Sequence, residues 1–155
     1  MKKGIKLRMI AHNILCDVYK SKINTNDAFL KYADKNISRR DVAFIKNICL
    51  NSMRYSFHSN SILNMYAKKN TKVSQKILMC CAITQIVFLN FKEYAVINST
   101  VEIAKKINIY HGFVNSCLKT IMKHKLALKN TKINFIDLPT WFTEETKNLS
   151  NKDKN

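Results

Sequence analysis

The chain has two glycines, Gly4 and Gly112, and a single proline, Pro139, in 155 residues. Sandwiches and barrels turn every ~10 residues and need far more punctuation than that, so an all-β fold is excluded. The same poverty removes every glycine-rich phosphate loop, and with it the Walker and dinucleotide fingerprints. Acids are scarce as well: 10 Asp and Glu stand against 27 Lys and Arg, a formal net charge of +17. No apolar run reaches the ~20 residues a bilayer requires. The longest, Ile77 to Phe91, is interrupted by Thr84, Gln85 and Asn90 and flanked by Lys76 and Lys92. It reads as a central helix buried on nearly all sides.

Five cysteines (Cys16, Cys49, Cys80, Cys81, Cys117) form no Cys-x-x-Cys and no framework spacing. Neither a disulfide scaffold nor a zinc site is expected, and free thiols suit a reducing, cytoplasmic setting. Lys6 and Arg8 interrupt any apolar run behind Lys2 and Lys3, so no signal peptide is readable. The acid-free, amphipathic segment 1–16 leaves a mitochondrial presequence open. Its lack of serine and its fit to a folded helix weigh against that.

Hydrophobic residues make up 46% of the chain, enough for a packed core. Their spacing is helical. Ile10, Ile14, Leu15 and Val18 form one stripe; Val42, Ile45, Cys49 and Met53 form another, opened by Ser38 and Asp41 in a capping-box pattern. A weak spot at His58 to Asn60 separates that helix from the next. Val96, Ile97, Val101, Ala104 and Ile107 mark a later helix, on which Glu102 precedes Lys105 and Lys106 at pairing distance. Gly112 divides it from a last strong helix bearing Phe113, Val114, Cys117, Leu118, Ile121 and Met122. The expected architecture is all-α, a single bundle of about six or seven helices over residues 1–130, followed by a linker or tail over 131–155.

Catalytic chemistry is not visible. The four histidines are isolated, the acids are scattered, and no residue is nominated as catalytic or as a metal ligand. The charge points to a binding surface instead. AT-rich coding would favour Lys over Arg, yet it does not explain the missing acids, so a polyanion partner is the expectation. Lys2, Lys3, Lys6 and Arg8 cluster at the first helix, where cations oppose the helix dipole. Lys119, Lys123 and Lys125 line the outer face of the last strong helix. Tyr19, Tyr55 and Tyr110 could stack on bases or serve as ordinary core and boundary aromatics.

Two stretches, Asn98-Ser99-Thr100-Val101-Glu102-Ile103-Ala104-Lys105 and Gly112-Phe113-Val114-Asn115-Ser116-Cys117-Leu118-Lys119, resemble the NusB/RsmB superfamily. Arg8-x-x-Ala11, Asp41-x-Ala43-Phe44-Ile45, Arg54 and Gln85-Ile86-x-Phe88-Leu89 add to the resemblance, in family order across about residues 6–125. The resemblance implies an RNA-binding helical bundle that contacts ribosomal or leader RNA, with Gln85, Asn98, Glu102, Gly112 and Asn115 as motif positions. It implies RNA contact for Lys3, Lys6, Arg8 and Lys119, and a protein partner from the ribosome or the transcription-antitermination machinery as the alternative role. Asn115 also fits a helix-start cap or a buried hydrogen bond. Gly112 and Lys119 look closer to the N-terminal domain of the ribosomal RNA cytosine-C5 methyltransferases. Leu138-Pro139-Thr140-Trp141 resembles the entry to their catalytic region. No S-adenosylmethionine loop or Pro-Cys motif is present, so that cofactor is expected only if a catalytic domain follows. Ala82 and Ser116 depart from the family's smaller residues at those places.

Overall fold

In the computed structural model, residues 2–32, 36–67 and 71–130 are described, and they are helical with no strand. The helices are α1 (Lys3–Tyr19), α2 (Thr25–Tyr32), α3 (Arg39–Arg54), α4 (Ser56–Tyr66), α5 (Val73–Ile83), α6 (Glu93–Lys106), α7 (His111–Lys123) and the single turn α8 (Lys125–Leu128). The all-α expectation holds, with short α2 and α8 completing the bundle. None of these helices is long and apolar enough to cross a membrane. Pro139, Trp141 and the expected tail lie outside the described residues.

Local chemistry explains most boundaries. The Ser38 hydroxyl accepts a hydrogen bond from the Asp41 amide at 3.1 Å, so the N-terminal cap of α3 stands where the sequence places it. The break after α3 does not fall at His58 to Asn60. It falls at Tyr55, whose ring stacks on Phe88 at 4.4 Å and fixes the turn into α4. Gly112 does not divide α6 from α7 either; it is the second residue of α7. The reversal is made by Asn108 at φ 59, a left-handed conformation that asparagine tolerates better than most residues.

The central helix begins earlier than its apolar run, at Val73, and ends in a π-helical turn over Thr84–Phe88. Leu89 donates its amide to the Thr84 carbonyl at 3.0 Å, and the Thr84 hydroxyl is held between the Cys80 carbonyl and the Ser59 hydroxyl, each at 2.8 Å. Ile77 and Cys81 of α5 face one core with α1, α2 and α3. Leu78, Met79, Ala82 and Ile83 face a second core with α4, α6, α7 and α8. Burial on nearly every side is therefore correct for α5. Ala82 is fully enclosed, whereas Ser116 is exposed and crowds nothing.

Pairings along the helices fix their directions. Lys3 meets Asp41, Arg8 lies against Phe44, and Cys49 bonds the Ala11 carbonyl, so α1 and α3 run parallel. Arg8 meets Gln85 while Lys20 meets Ser74, so α5 runs against α1. Parallel packing sets the N-termini of α1 and α3 side by side at one end of the molecule.

Candidate nucleic-acid interface

At that end, Lys2, Lys3 and Lys6 of α1 are exposed and neighbour Arg39 and Arg40, the first two residues of α3. Lys2 occupies the N-cap of α1 without a side-chain cap, and the first turn of α1 carries no acid. Two neighbouring helix N-termini thus carry five exposed cations between them, an arrangement that favours an anion such as phosphate. Lys3 is ion-paired with Asp41 at 3.1 Å, so one cation of the cluster is partly neutralised. Sequence reading missed Arg39 and Arg40. Their signal is the capping box at Ser38, which puts two arginines in a first helical turn, but only the parallel packing brings them to Lys3.

Arg8 does not belong to this surface. It is 8% exposed, and its guanidinium points inward: Nε donates to Gln85 Oε1 at 2.7 Å, and Nη1 reaches Ser99 Oγ at 3.4 Å and the Gly4 carbonyl at 3.5 Å. The Phe44 ring lies 5.3 Å below it. Burial lowers its pKa from the ordinary arginine value, with the nearby Cys81 opposing. The expectation of RNA contact by Arg8 is therefore corrected. Two of its motif neighbours, Gln85 and Asp41, act elsewhere in the same way: Gln85 completes the interior bridge and Asp41 holds Lys3.

Lys119 and Lys123 stand on α7, in one row with His111 and Asn115 at four-residue steps. Lys119 and Lys123 are exposed; Asn115 is half-buried, in the second turn, and neither caps the helix nor has a side-chain hydrogen bond among the described residues. A chain of contacts leads from the far end of the row to α3. Lys125 bonds Glu93 and the Asn90 side chain, which sets the end of α7 beside the start of α6. Next to Asn90, Phe91 stacks on Phe44 of α3 at 5.8 Å. Asn98 is exposed on α6, and Glu102 pairs with Lys105 at 3.1 Å, as the spacing predicts. Of the three tyrosines, Tyr55 is packed in the interior stack, Tyr19 is 37% exposed, and Tyr110 is 75% exposed at the start of α7.

The described acids are few and mostly engaged. Asp17, Asp41, Glu93 and Glu102 each hold a lysine, leaving Lys2, Lys6, Arg39, Arg40, Lys119 and Lys123 without an acidic partner among the described residues. Burial pushes the Cys80 thiol up to about 12 and the Cys117 thiol to about 11. Among the described residues no three or more His, Cys, Asp or Glu come together as a metal site.

Comparison with known proteins gives one family: the model of the NusB family matches residues 5–123. That span begins in α1 and ends at the last residue of α7, so it takes in both cationic regions. A search of curated proteins finds no match.

Proposed function

The chain belongs to the NusB family, and we propose that it is an RNA-binding domain whose paired N-termini of α1 and α3 grip the phosphate backbone. The observation that carries this reading is the gathering of exposed Lys2, Lys3, Lys6, Arg39 and Arg40 at two neighbouring helix N-termini, of which α1 carries no acid in its first turn and α3 carries only Asp41, taken up by Lys3. Phosphate contacts of this kind position an RNA strand and supply most of its affinity. The α7 row of Lys119 and Lys123 extends the contact, and exposed Tyr110 offers a stacking face for an unpaired base. The family's ribosomal or leader RNA is the target class this reading adopts. The role is binding, as the N-terminal RNA-holding part of a methyltransferase or as a free-standing antitermination-type factor. Either role requires the same cationic end.

Filter binding to a single-stranded oligoribonucleotide across a salt series tests it. Affinity should fall steeply, by ~0.7 in log K per log salt for each phosphate engaged. Replacing Lys2, Lys6, Arg39 and Arg40 with Gln should flatten that slope by about 2–3 units and leave the thermal midpoint nearly unchanged, because all four side chains are exposed. A slope unaffected by these substitutions refutes the assignment.

A further inference from the structure

A cleft of about 810 Å³ opens where the C-terminal halves of α1 and α3 and the start of α4 meet the first half of α5. Because α5 runs against α1, this is the end of the bundle away from the paired N-termini. Its walls are apolar: Leu15, Met53, Phe57, Val73 and Ile77. Its rim carries Lys22 and Lys76. Lys20, bonded to Ser74 at 3.1 Å, and Lys72 lie next to these in the chain.

Three features say what would fill it. The first is charge. Residues 42–92, which supply α4, α5 and most of α3, contain no acid at all, and Asp17 of α1 is tied to Lys31. The rim is therefore positive without local compensation, and its occupant must be acidic. The second is the wall chemistry. Branched aliphatic side chains, a methionine and one phenylalanine accept apolar protein side chains, and methionine adapts to varied shapes. The third is Ser52, which lines the cleft at 5% exposure. Its hydroxyl has no oxygen or nitrogen partner among the described residues and lies against the Cys81 thiol, a weak hydrogen-bond partner. An incoming polar tip, such as an indole N–H, would give it a stronger one. Val73 (53% exposed) and Tyr19 add apolar surface at the mouth that only a partner would remove from water.

We propose that this cleft seats an acidic amphipathic helix of a partner protein, with apolar anchors between α1, α3 and α5 and carboxylates on Lys22 and Lys76. The surface lies at the end of the bundle away from the phosphate-binding end.

The test uses the full chain and three fluorescein-labelled probes. Two are synthetic helical peptides sharing one pattern of Leu and Trp at i, i+3, i+4 and i+7, one filled with Glu and the other with Lys. The third is a single-stranded oligouridylate. The Glu peptide should bind, the Lys peptide should not, and oligouridylate should not displace the Glu peptide. Lys22→Glu/Lys76→Glu should weaken the Glu peptide by about tenfold and turn the preference toward the Lys peptide. Val73→Glu should weaken it too, since a carboxylate at the first position of α5 suits the helix while repelling the ligand. Failure of the Glu peptide to bind, equal binding of both peptides, or indifference to these substitutions overturns the proposal. Competition with oligouridylate overturns it as well, and assigns the peptide to the phosphate-binding end.

Discussion

The core that α4 to α8 build around α5 gathers 18 buried residues among those described, all hydrophobic, from Ile62 to Leu128. The core that α1 to α3 build on the other side of α5 gathers 10, and beside it lie two buried ionisable groups, Arg8 and His12. At ~25 cal/mol per Å² of apolar surface removed from water, the larger core contributes the greater part of the stability. The smaller core carries the cationic end, because its two parallel helices present their N-termini there. The half with fewer apolar contacts is thus the half that holds the charge, and a polar bridge runs from it into the larger one beside the apolar contacts of the shared α5. The Arg8 guanidinium is that bridge. It starts in the smaller core, bonds Gln85 in the π-helical turn of the shared helix, and reaches Ser99 of the larger one.

Arg8→Ala should have the largest effect. It removes a packed side chain and leaves Gln85 Oε1 buried without its donor, a combined loss of about 3 kcal/mol measured by chemical denaturation. The double substitution Arg8→Met/Gln85→Leu separates the causes. It restores volume and removes both polar partners, so it should return to within ~1 kcal/mol of the natural chain. If the double variant is as unstable as Arg8→Ala, the polar bridge itself joins the cores, and packing alone cannot replace it.

His12 gives the next effect, and it is confined to the smaller core. The ring is 3% exposed, its Nδ1 has no partner among the described residues, and its Nε2 faces the Cys16 sulfur at 3.5 Å. Burial, helped by the charge of Lys20, holds its pKa down at about 4 against 6.5 in the unfolded chain. Between those values the unfolded chain binds the proton and the folded one does not, so stability falls as pH drops from 6.5 toward 4. Above pH 6.5 both states are neutral and the ring adds no slope. The expected loss is ~3 kcal/mol across the window, read from denaturation midpoints at successive pH values. His12→Leu should remove that part of the pH dependence while leaving stability at pH 8 equal or higher, since it deletes an unpaired buried nitrogen. A variant with an unchanged pH profile would show that the acid response arises elsewhere.

The larger core was the easier half to read. Its stripes are buried at Val96, Ile97 and Ala104 and at Val114, Cys117, Leu118 and Ile121, with Val101, Ile107, Phe113 and Met122 half-buried at their edges, because periodicity reports burial directly. Ser38 was legible for a similar reason: a cap is a local bond between residues three apart. The errors involve contacts between residues distant in sequence. Arg8 looks like one more surface cation until Gln85 arrives from 77 residues away. Tyr55 interrupts α3 because Phe88 stacks on it, and nothing within a helical turn of Tyr55 announces that. Arg39 and Arg40 join Lys3 only through the parallel packing of helices separated by α2. Charge count pointed to a polyanion partner, whereas placing the charges needed the fold.

Gly112→Ala should have the smallest effect, and its sign is informative about the surface of the larger core. Glycine in a helix costs about 0.5–1 kcal/mol relative to alanine, and Gly112 has no positive φ that would justify it. Against this gain, a Cβ there would lie 2.8 Å from the Tyr110 ring. The ring is 75% exposed, touches His111 only in a tilted pair, and can swing into water. The clash is therefore with a movable tip, and the substitution should stabilise the chain by ~0.5 kcal/mol in thermal unfolding. A measured loss would instead mean that Tyr110 is fixed over the start of α7. A tyrosine ring held there in advance would suit base stacking better than a mobile one, so the same measurement also bears on how RNA would meet this helix.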